Sequence, residues 1–358
     1  MIINIITEPE YADTVWCRET LTGIEKKCSA LRYKHISCSA DMLNSADASN
    51  KTILVGTSPG WVSDVLNITE RLKIHSVVVS CRPIKIKQNT SCVLIDHDSA
   101  TEECIEYLKS CGRKKIALYG INNNSYADMI KVKYFKDKDV HYCAGKNGME
   151  SCFNSFVSNI GYYDAAVCSN YISAVYLMHN LKNKGIDVPK DLFVAAYGDS
   201  VIGKSFKPSL TTITLDHEQL GIQAVNLCRF LAFSDGDVSA AVRIPGRIVP
   251  AESTQCIAYK KSVMQQKSNR LTENIFKVDA DILEIQALEK LLRLCDETDI
   301  KLLKTISKNK TYAGIGDSLY ISEGAVKYRL KRMLSGSGID SVVHMLELYN
   351  KYVGSAEK

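Results

Sequence analysis

Along residues 1–254 the apolar positions fall into two alternating rhythms. Short β-rich runs stand at Ile2–Ile6, Thr52–Val55, Ser76–Ser80, Cys92–Ile95, Lys115–Tyr119, Ala165–Cys168 and Phe193–Tyr197. Helix-length amphipathic stretches stand among them at Thr14–Leu31, Val62–Leu72, Thr101–Cys111 and Ser173–Lys184. Alternation of this kind predicts an α/β fold with parallel sheets covered by helices on both faces. Ligands in such folds collect outside the carboxyl ends of the strands. The loops after Ile6, Ser80, Tyr119, Cys168 and Tyr197 are therefore the places for a site.

Beyond residue 254 the rhythm changes. Gln255 to Phe276 is polar and reads as a linker. From Val278 to Cys295 helical periodicity returns: Ile282, Ile285, Leu288, Leu292 and Cys295 form a stripe, widened by Leu283, Ala287, Leu291 and Leu294. Such a helix needs a cover, either the C-terminal helices or a second copy of the chain. Pairing with a second copy is the expectation, since dimers match palindromic half-sites. Tyr312 to Leu334 holds two short helical patterns, one on Ile315 and Leu319, the other on Val326, Leu330, Met333 and Leu334. Ser322 occupies an N-cap position, and Glu323 follows in the first turn, where it suits the helix dipole. The outward face of the second helix carries Lys327, Tyr328, Lys331 and Arg332. A short helix, a turn and a capped cationic helix are what a helix-turn-helix needs to reach a major groove.

Composition narrows the class. The 358 residues allow two or three domains, and 46% hydrophobic with 24% charged residues is ordinary for a globular protein. A net charge of +5 permits a nucleic-acid partner only through a local basic footprint. Thirteen cysteines are many, but none form a C-x-x-C pair, so buried free thiols in a reducing, cytoplasmic setting are expected. MIINIITEPEYAD has no basic leader, and no stretch is long enough to span a membrane. No H-E-x-x-H, zinc spacing or G-x-S-x-G elbow is present, and His97, between Asp96 and Asp98, reads as a loop residue at a strand end. No enzyme activity, cofactor, metal or catalytic residue is expected.

Two family resemblances follow from longer stretches. ISEGAVKYRL resembles the signature of LuxR/GerE-type DNA-binding domains, with Ala325 for the usual Thr and Arg329 where His is common. Thr298–Ser307 resembles that family's opening helix and Ser341–Tyr352 its last. Lys184–Ser200 (KGIDVPKDLFVAAYGDS), Lys207–Asp216, Leu220–Cys228 and Arg243–Thr254, with Cys92–Gly120, resemble the effector domain of lac-repressor/GalR-type regulators. That domain is akin to periplasmic sugar-binding proteins, and the resemblance implies two α/β lobes closing on a small molecule. In that family the DNA-binding helices come first in the chain, whereas the order expected here is the reverse.

Carried over residue by residue, the second resemblance implies a ligand site of Glu8, Tyr11, Lys131, Asn170 and Asp199. Lys131 replaces a clamping Arg, Tyr171 an Asp, and Gly198 the first of two aspartates that hold sugar hydroxyls. The first resemblance implies DNA contacts from Ser322, Glu323, Lys327, Tyr328, Lys331 and Arg332. Gly198–Ser205 (GDSVIGKS) also fits G-x-x-x-x-G-K-S, but Pro208 follows three residues later, where a P-loop needs a long helix.

The expected protein has a two-lobed sensor at 1–254, a linker and putative dimerisation helix at 255–297, and a LuxR-type helix-turn-helix domain at 298–358. It is expected to be a cytoplasmic, homodimeric, one-component transcription regulator. Its partners would be double-stranded DNA and a small polar effector, a sugar among the candidates, with no membrane. The alternatives are a nucleotide-binding signalling ATPase with a LuxR-type tail, or a regulator whose pocket is defunct and which acts through protein partners.

Overall fold

The structure is a computed structural model, described for residues 1–44, 50–82, 89–143, 148–234, 238–255, 280–306 and 311–354. In chain order the strands are β1 (Ile2–Thr7), β2 (Lys34–Ser37), β3 (Lys51–Val55), β4 (His75–Ser80), β5 (Thr90–Asp96) and β6 (Ile116–Ile121), then β7 (Val140–Tyr142), β8 (Ala165–Cys168), β9 (Phe193–Tyr197), β10 (Thr211–Thr214), β11 (Ala241–Pro245) and β12 (Arg247–Val249). The helices before residue 254 are α1 (Val15–Leu31), α2 (Pro59–Arg71), α3 (His97–Ser110), α4 (Tyr126–Val132), α5 (Gly148–Val157), α6 (Tyr171–Asn183), α7 (Val201–Ser205) and α8 (His217–Ala232). After it come α9 (Ala280–Leu294), α10 (Glu297–Ile306), α11 (Tyr312–Leu319), α12 (Glu323–Ser337) and α13 (Val342–Tyr352).

Two six-stranded sheets make two lobes, ordered β11-β5-β4-β3-β1-β2 and β12-β10-β9-β8-β6-β7. All pairings are parallel except β10 with β12. The central strands are buried along most of their length, because helices cover both faces and the hydrophobic effect favours apolar residues at every position. The expected two-lobed, largely parallel α/β sensor is thus the observed one.

The chain crosses between lobes three times. β5 belongs to the first sheet, but α3 packs in the core of the second lobe with Leu118 and Ile121. β10 belongs to the second sheet, but α8 packs in the first-lobe core with Ile3 and Cys17. β11 and β12 make the third crossing through Pro245 and Gly246. The first two crossings share a device: an N-cap Asp followed by a His. Asp96 accepts from the Ser99 amide at 3.1 Å, and Asp216 from the Gln219 amide at 3.0 Å. His97 is therefore a helix-opening residue and not the loop residue expected.

One apolar cluster runs without a break from α5 and α6 of the second lobe into α9–α13. Ile282, Ile285, Leu288, Leu291 and Leu292 of α9 are buried there, while Leu283 and Leu294 lie on the exposed side. The stripe of α9 is thus covered within the chain, by α6, α7, α12 and α13. This corrects the putative dimerisation helix: α9 is a core helix. The linker expected at Gln255–Phe276 lies, beyond Gln255, outside the described residues. Among the described residues no helix is long and apolar enough to cross a membrane, and no group of three His, Cys, Asp or Glu side chains could hold a metal. The twelve described cysteines are all free thiols.

Candidate effector cleft and C-terminal surface

The carboxyl ends of both sheets face the crossing region, and the side chains there form a connected set. Lys131, near the end of α4, is buried; its Nζ donates to Asp128 Oδ1 at 2.8 Å and to the Ser169 carbonyl at 3.1 Å. The same ammonium stands 4.2 Å from the centroid of the Tyr197 ring. Asp128 is buried too, and its other oxygen accepts from the Asn122 amide at 3.2 Å. A buried cation is tolerable only when paired and hydrogen-bonded, and Lys131 is both. The expected charge is present, but it is already balanced by a carboxylate one helical turn earlier.

His97 lies 5% exposed, and neither of its ring nitrogens has a hydrogen-bond partner among the described residues. Burial, with the Lys131 charge adding to it, pushes its pKa down to about 3, so the ring is neutral. A neutral imidazole carries one donor and one acceptor, and leaving both unused in a buried place costs free energy. Beside it Tyr197 donates to Thr101 Oγ1 at 2.7 Å. Burial pushes the Cys81 thiol up to about 11, against the opposing charges of Arg82 and Lys131. Arg82 reaches from the first lobe to the second, its guanidinium carbon 4.3 Å from the Tyr126 ring centroid.

The other expected ligand residues are largely committed to the fold. Glu8 is buried, and its carboxylate accepts from the Thr57 and Ser58 amides at 2.8 and 3.1 Å, closing the start of α2. Tyr11 packs against Trp16, ring centroids 6.1 Å apart. Asn170 caps α6, accepting from the Ser173 amide at 3.0 Å and donating to Ser169 Oγ at 3.2 Å. Asp199, after β9, accepts from Lys204 Nζ at 2.6 Å. Gly198 has φ +87°, so the Asp expected there would be strained whatever its contacts.

GDSVIGKS is no phosphate loop in this chain. Its helix starts at Val201, inside the motif, and ends at Ser205. The amides that would meet a phosphate already meet Glu289 of α9: Val201 N donates to Oε1 at 3.0 Å and Ile202 N to Oε2 at 2.6 Å. That arrangement removes the nucleotide-binding alternative.

At the other end of the molecule, α11 and α12 are joined by three residues, with Tyr320 in the left-handed region at φ +57°. Ser322 caps α12, accepting from the Ala325 amide at 3.1 Å. Tyr320 is 96% and Tyr328 68% exposed, and Lys327 and Lys331 share the exposed side. Lys327 forms an i,i+4 ion pair with Glu323 at 2.5 Å. Arg332 is different: with Arg329 it binds the wholly buried carboxylate of Asp299 on α10. Sequence pattern placed it among the outward cations, whereas the structure ties it inward.

A family profile described as a periplasmic binding protein-like domain matches residues 105–254. The HTH-type transcriptional regulator GalR of Streptococcus thermophilus is 22% identical over 275 residues, covering 71% of this chain and 81% of that protein. An HTH-type transcriptional regulator of Lachnoclostridium phytofermentans is 27% identical over 157 residues; the chain spans 47% of its length. A LacI family transcriptional regulator from Enterococcus faecium, solved with bound ribose, superposes with a TM-score of 0.54, covering 72% of this chain and 100% of that one. At 18% identity the last is a likeness of fold alone.

These matches overturn one expectation. The profile ends at residue 254, and the regulators it agrees with are of the LacI/GalR type, in which the small all-α DNA-binding unit precedes the effector domain. The assignment of residues 298–358 to a C-terminal LuxR/GerE-type domain, and the fold class built on it, are therefore withdrawn. The short motif misled because a capping Ser, an acidic first turn and spaced apolar residues serve any capped amphipathic helix.

Proposed function

We propose that this chain, a one-component transcription regulator of the LacI/GalR type with an effector-sensing domain and a DNA-binding module, senses an uncharged, hydroxyl-rich small molecule in the cleft between its lobes. One observation carries the choice of ligand class: Lys131 is neutralised by Asp128 at 2.8 Å, beside a neutral His97 with unused hydrogen-bonding capacity. An anionic effector would need an unbalanced cation, whereas a hydroxyl group can both donate to and accept from an imidazole. The ribose bound by the Enterococcus faecium regulator is a molecule of this class. Lys131, Asn170 and Asp199 are the effector contacts, with Glu8 and Tyr11 shaping the first-lobe side.

On surface chemistry alone, the DNA contacts are proposed on the exposed side of α12. Lys327 and Tyr328 would face the groove and Lys331 the phosphates, with Ser322 and Glu323 setting the start of the helix. Arg332 acts through the fold of the helical unit. The protein works in the cytoplasm, and a second copy of the chain is the expected partner, since two identical modules read two half-sites.

Thermal unfolding of the full chain against D-ribose, other neutral sugars, sugar phosphates and Mg-ATP tests the effector reading. A ligand at about a hundred times its dissociation constant adds roughly 2.7 kcal/mol. A rise with a neutral sugar supports the proposal. A rise confined to the phosphorylated compounds refutes it, and no rise across a broad sugar panel favours a defunct pocket.

A further inference from the structure

The GDSVIGKS stretch joins two regions that the chain separates by some ninety residues. Asp199 stands at its cleft end, and Glu289 of α9 grips its helix. Glu289 is 1% exposed, and its carboxylate is fully used: two amides of α7 and the Arg293 guanidinium at 2.7 Å. A carboxylate this deep is tolerable only when it is paired and hydrogen-bonded, and Glu289 is both.

We propose that Glu289 is a positioning residue of the effector cleft, linking the setting of the Gly198–Ser200 loop to the setting of α9–α13. The proposal rests on the reading of Asp199 as an effector contact. α7 has five residues and little stability of its own, so what holds its first amides sets the direction in which Asp199 and Ser200 leave β9. The Asp199–Lys204 pair spans the same short helix and ties its far end to the cleft side. α9 in turn packs on α12 and α13 as well as on α6 and α7, with Ile285, Leu288 and Leu292 buried in the cluster they share, so a shift of α9 on the second lobe disturbs those helices too. A ligand that favours one loop setting favours one setting of the C-terminal helices, and the linkage is reciprocal.

The test is a double-mutant cycle on the full chain, read by amide hydrogen exchange over α9 (Ala280–Leu294) with D199N, E289Q and the double variant. D199N is expected to change α9 exchange by about fivefold in the wild-type background, the scale of a modest coupling, and to have little effect once E289Q is present. If Glu289 merely braces the core, the two effects add; additivity, or no effect of D199N in the wild-type background, overturns the proposal. Should E289Q unfold α9, the cycle is run with R293K, which leaves both amide bonds to Glu289 and is expected to reduce the coupling in part. Failure of the cleft reading shows separately: a sugar that raises the midpoint of D199N as much as wild type removes Asp199 from the contacts, whatever the cycle reports.

Discussion

Gly23 of α1 and Gly221 of α8 meet backbone to backbone. A Cβ on Gly221 would lie 1.9 Å from the Thr20 carbonyl oxygen, and one on Gly23 would lie 2.0 Å from that of Glu218. The two helices cover one face of the first-lobe sheet, and this close crossing lets Ile24, Leu220 and Ala224 share its core. Gly221→Ala has to push backbone aside and is expected to cost about 1–3 kcal/mol or more. Chemical denaturation of the full chain measures it, and stability equal to wild type would show that the helices part freely.

Lys131 and Asp128 predict an asymmetry. Lys131→Met strands a buried carboxylate and should destabilise by about 3–5 kcal/mol. Adding Asp128→Asn to it removes the stranded charge and should recover a large part of that loss. A double variant no better than the single one would mean that the pair is not the interaction that matters at this site.

His97 gives a pH dependence. Its folded pKa is depressed to about 3 from the ordinary 6.5, so below pH 6.5 the unfolded chain takes up a proton that the folded chain refuses. Stability from this group is whole above pH 6.5, falls by up to about 1.4 kcal/mol per pH unit below it, and levels off near pH 3. His97→Gln should flatten that part of the profile. His141 and His179 are lowered by burial as well and leave a residual slope in the same direction. An unchanged profile in the variant would place the depressed group elsewhere.

Lys327 and Arg332 should part company. On a nonspecific DNA duplex, Lys327→Ala is expected to reduce the salt slope by about one, with stability within about 0.5 kcal/mol of wild type. Arg332→Ala should lower stability, because Asp299 is buried and keeps only Arg329 and the Asp296 amide. Unchanged salt dependence in Lys327→Ala would take the exposed side of α12 out of the interface.

How much of this was legible beforehand differs by the range of the interaction. Ala165–Cys168 and Phe193–Tyr197 were read to the residue, and Thr14–Leu31 to within one, because apolar runs and periodicity are local properties of the chain. The partners of charged groups were not legible. Lys131 was placed in the cleft, yet Asp128, three residues away and visible as an i,i+3 neighbour, was not read as its counter-ion. Glu289 and Val201, or Arg332 and Asp299, are joined only by the tertiary fold, and nothing local separates a buried cation from a solvated one. From sequence His97 reads as a loop residue, since its significance lies in having no hydrogen-bond partner among the described residues. The C-terminal resemblance fails for the opposite reason: a local pattern of cap, acidic turn and spaced apolar residues does not by itself carry ancestry.

The unbroken core between the second lobe and α9–α13 bears on how this regulator can be re-engineered. Sensor and DNA-binding parts of bacterial regulators invite exchange as interchangeable cassettes, joined wherever a polar stretch suggests a seam. Here a cut near residue 255 would strip α9 from α6 and α7, leaving two raw faces and the Val201 and Ile202 amides without their carboxylate. A chimera that keeps residues 1–254 and replaces the rest inherits a damaged sensor. One that carries α9 across the junction keeps its contacts with α6 and α7 but strips it from α12 and α13, so the second lobe and α9–α13 are exchanged together or not at all.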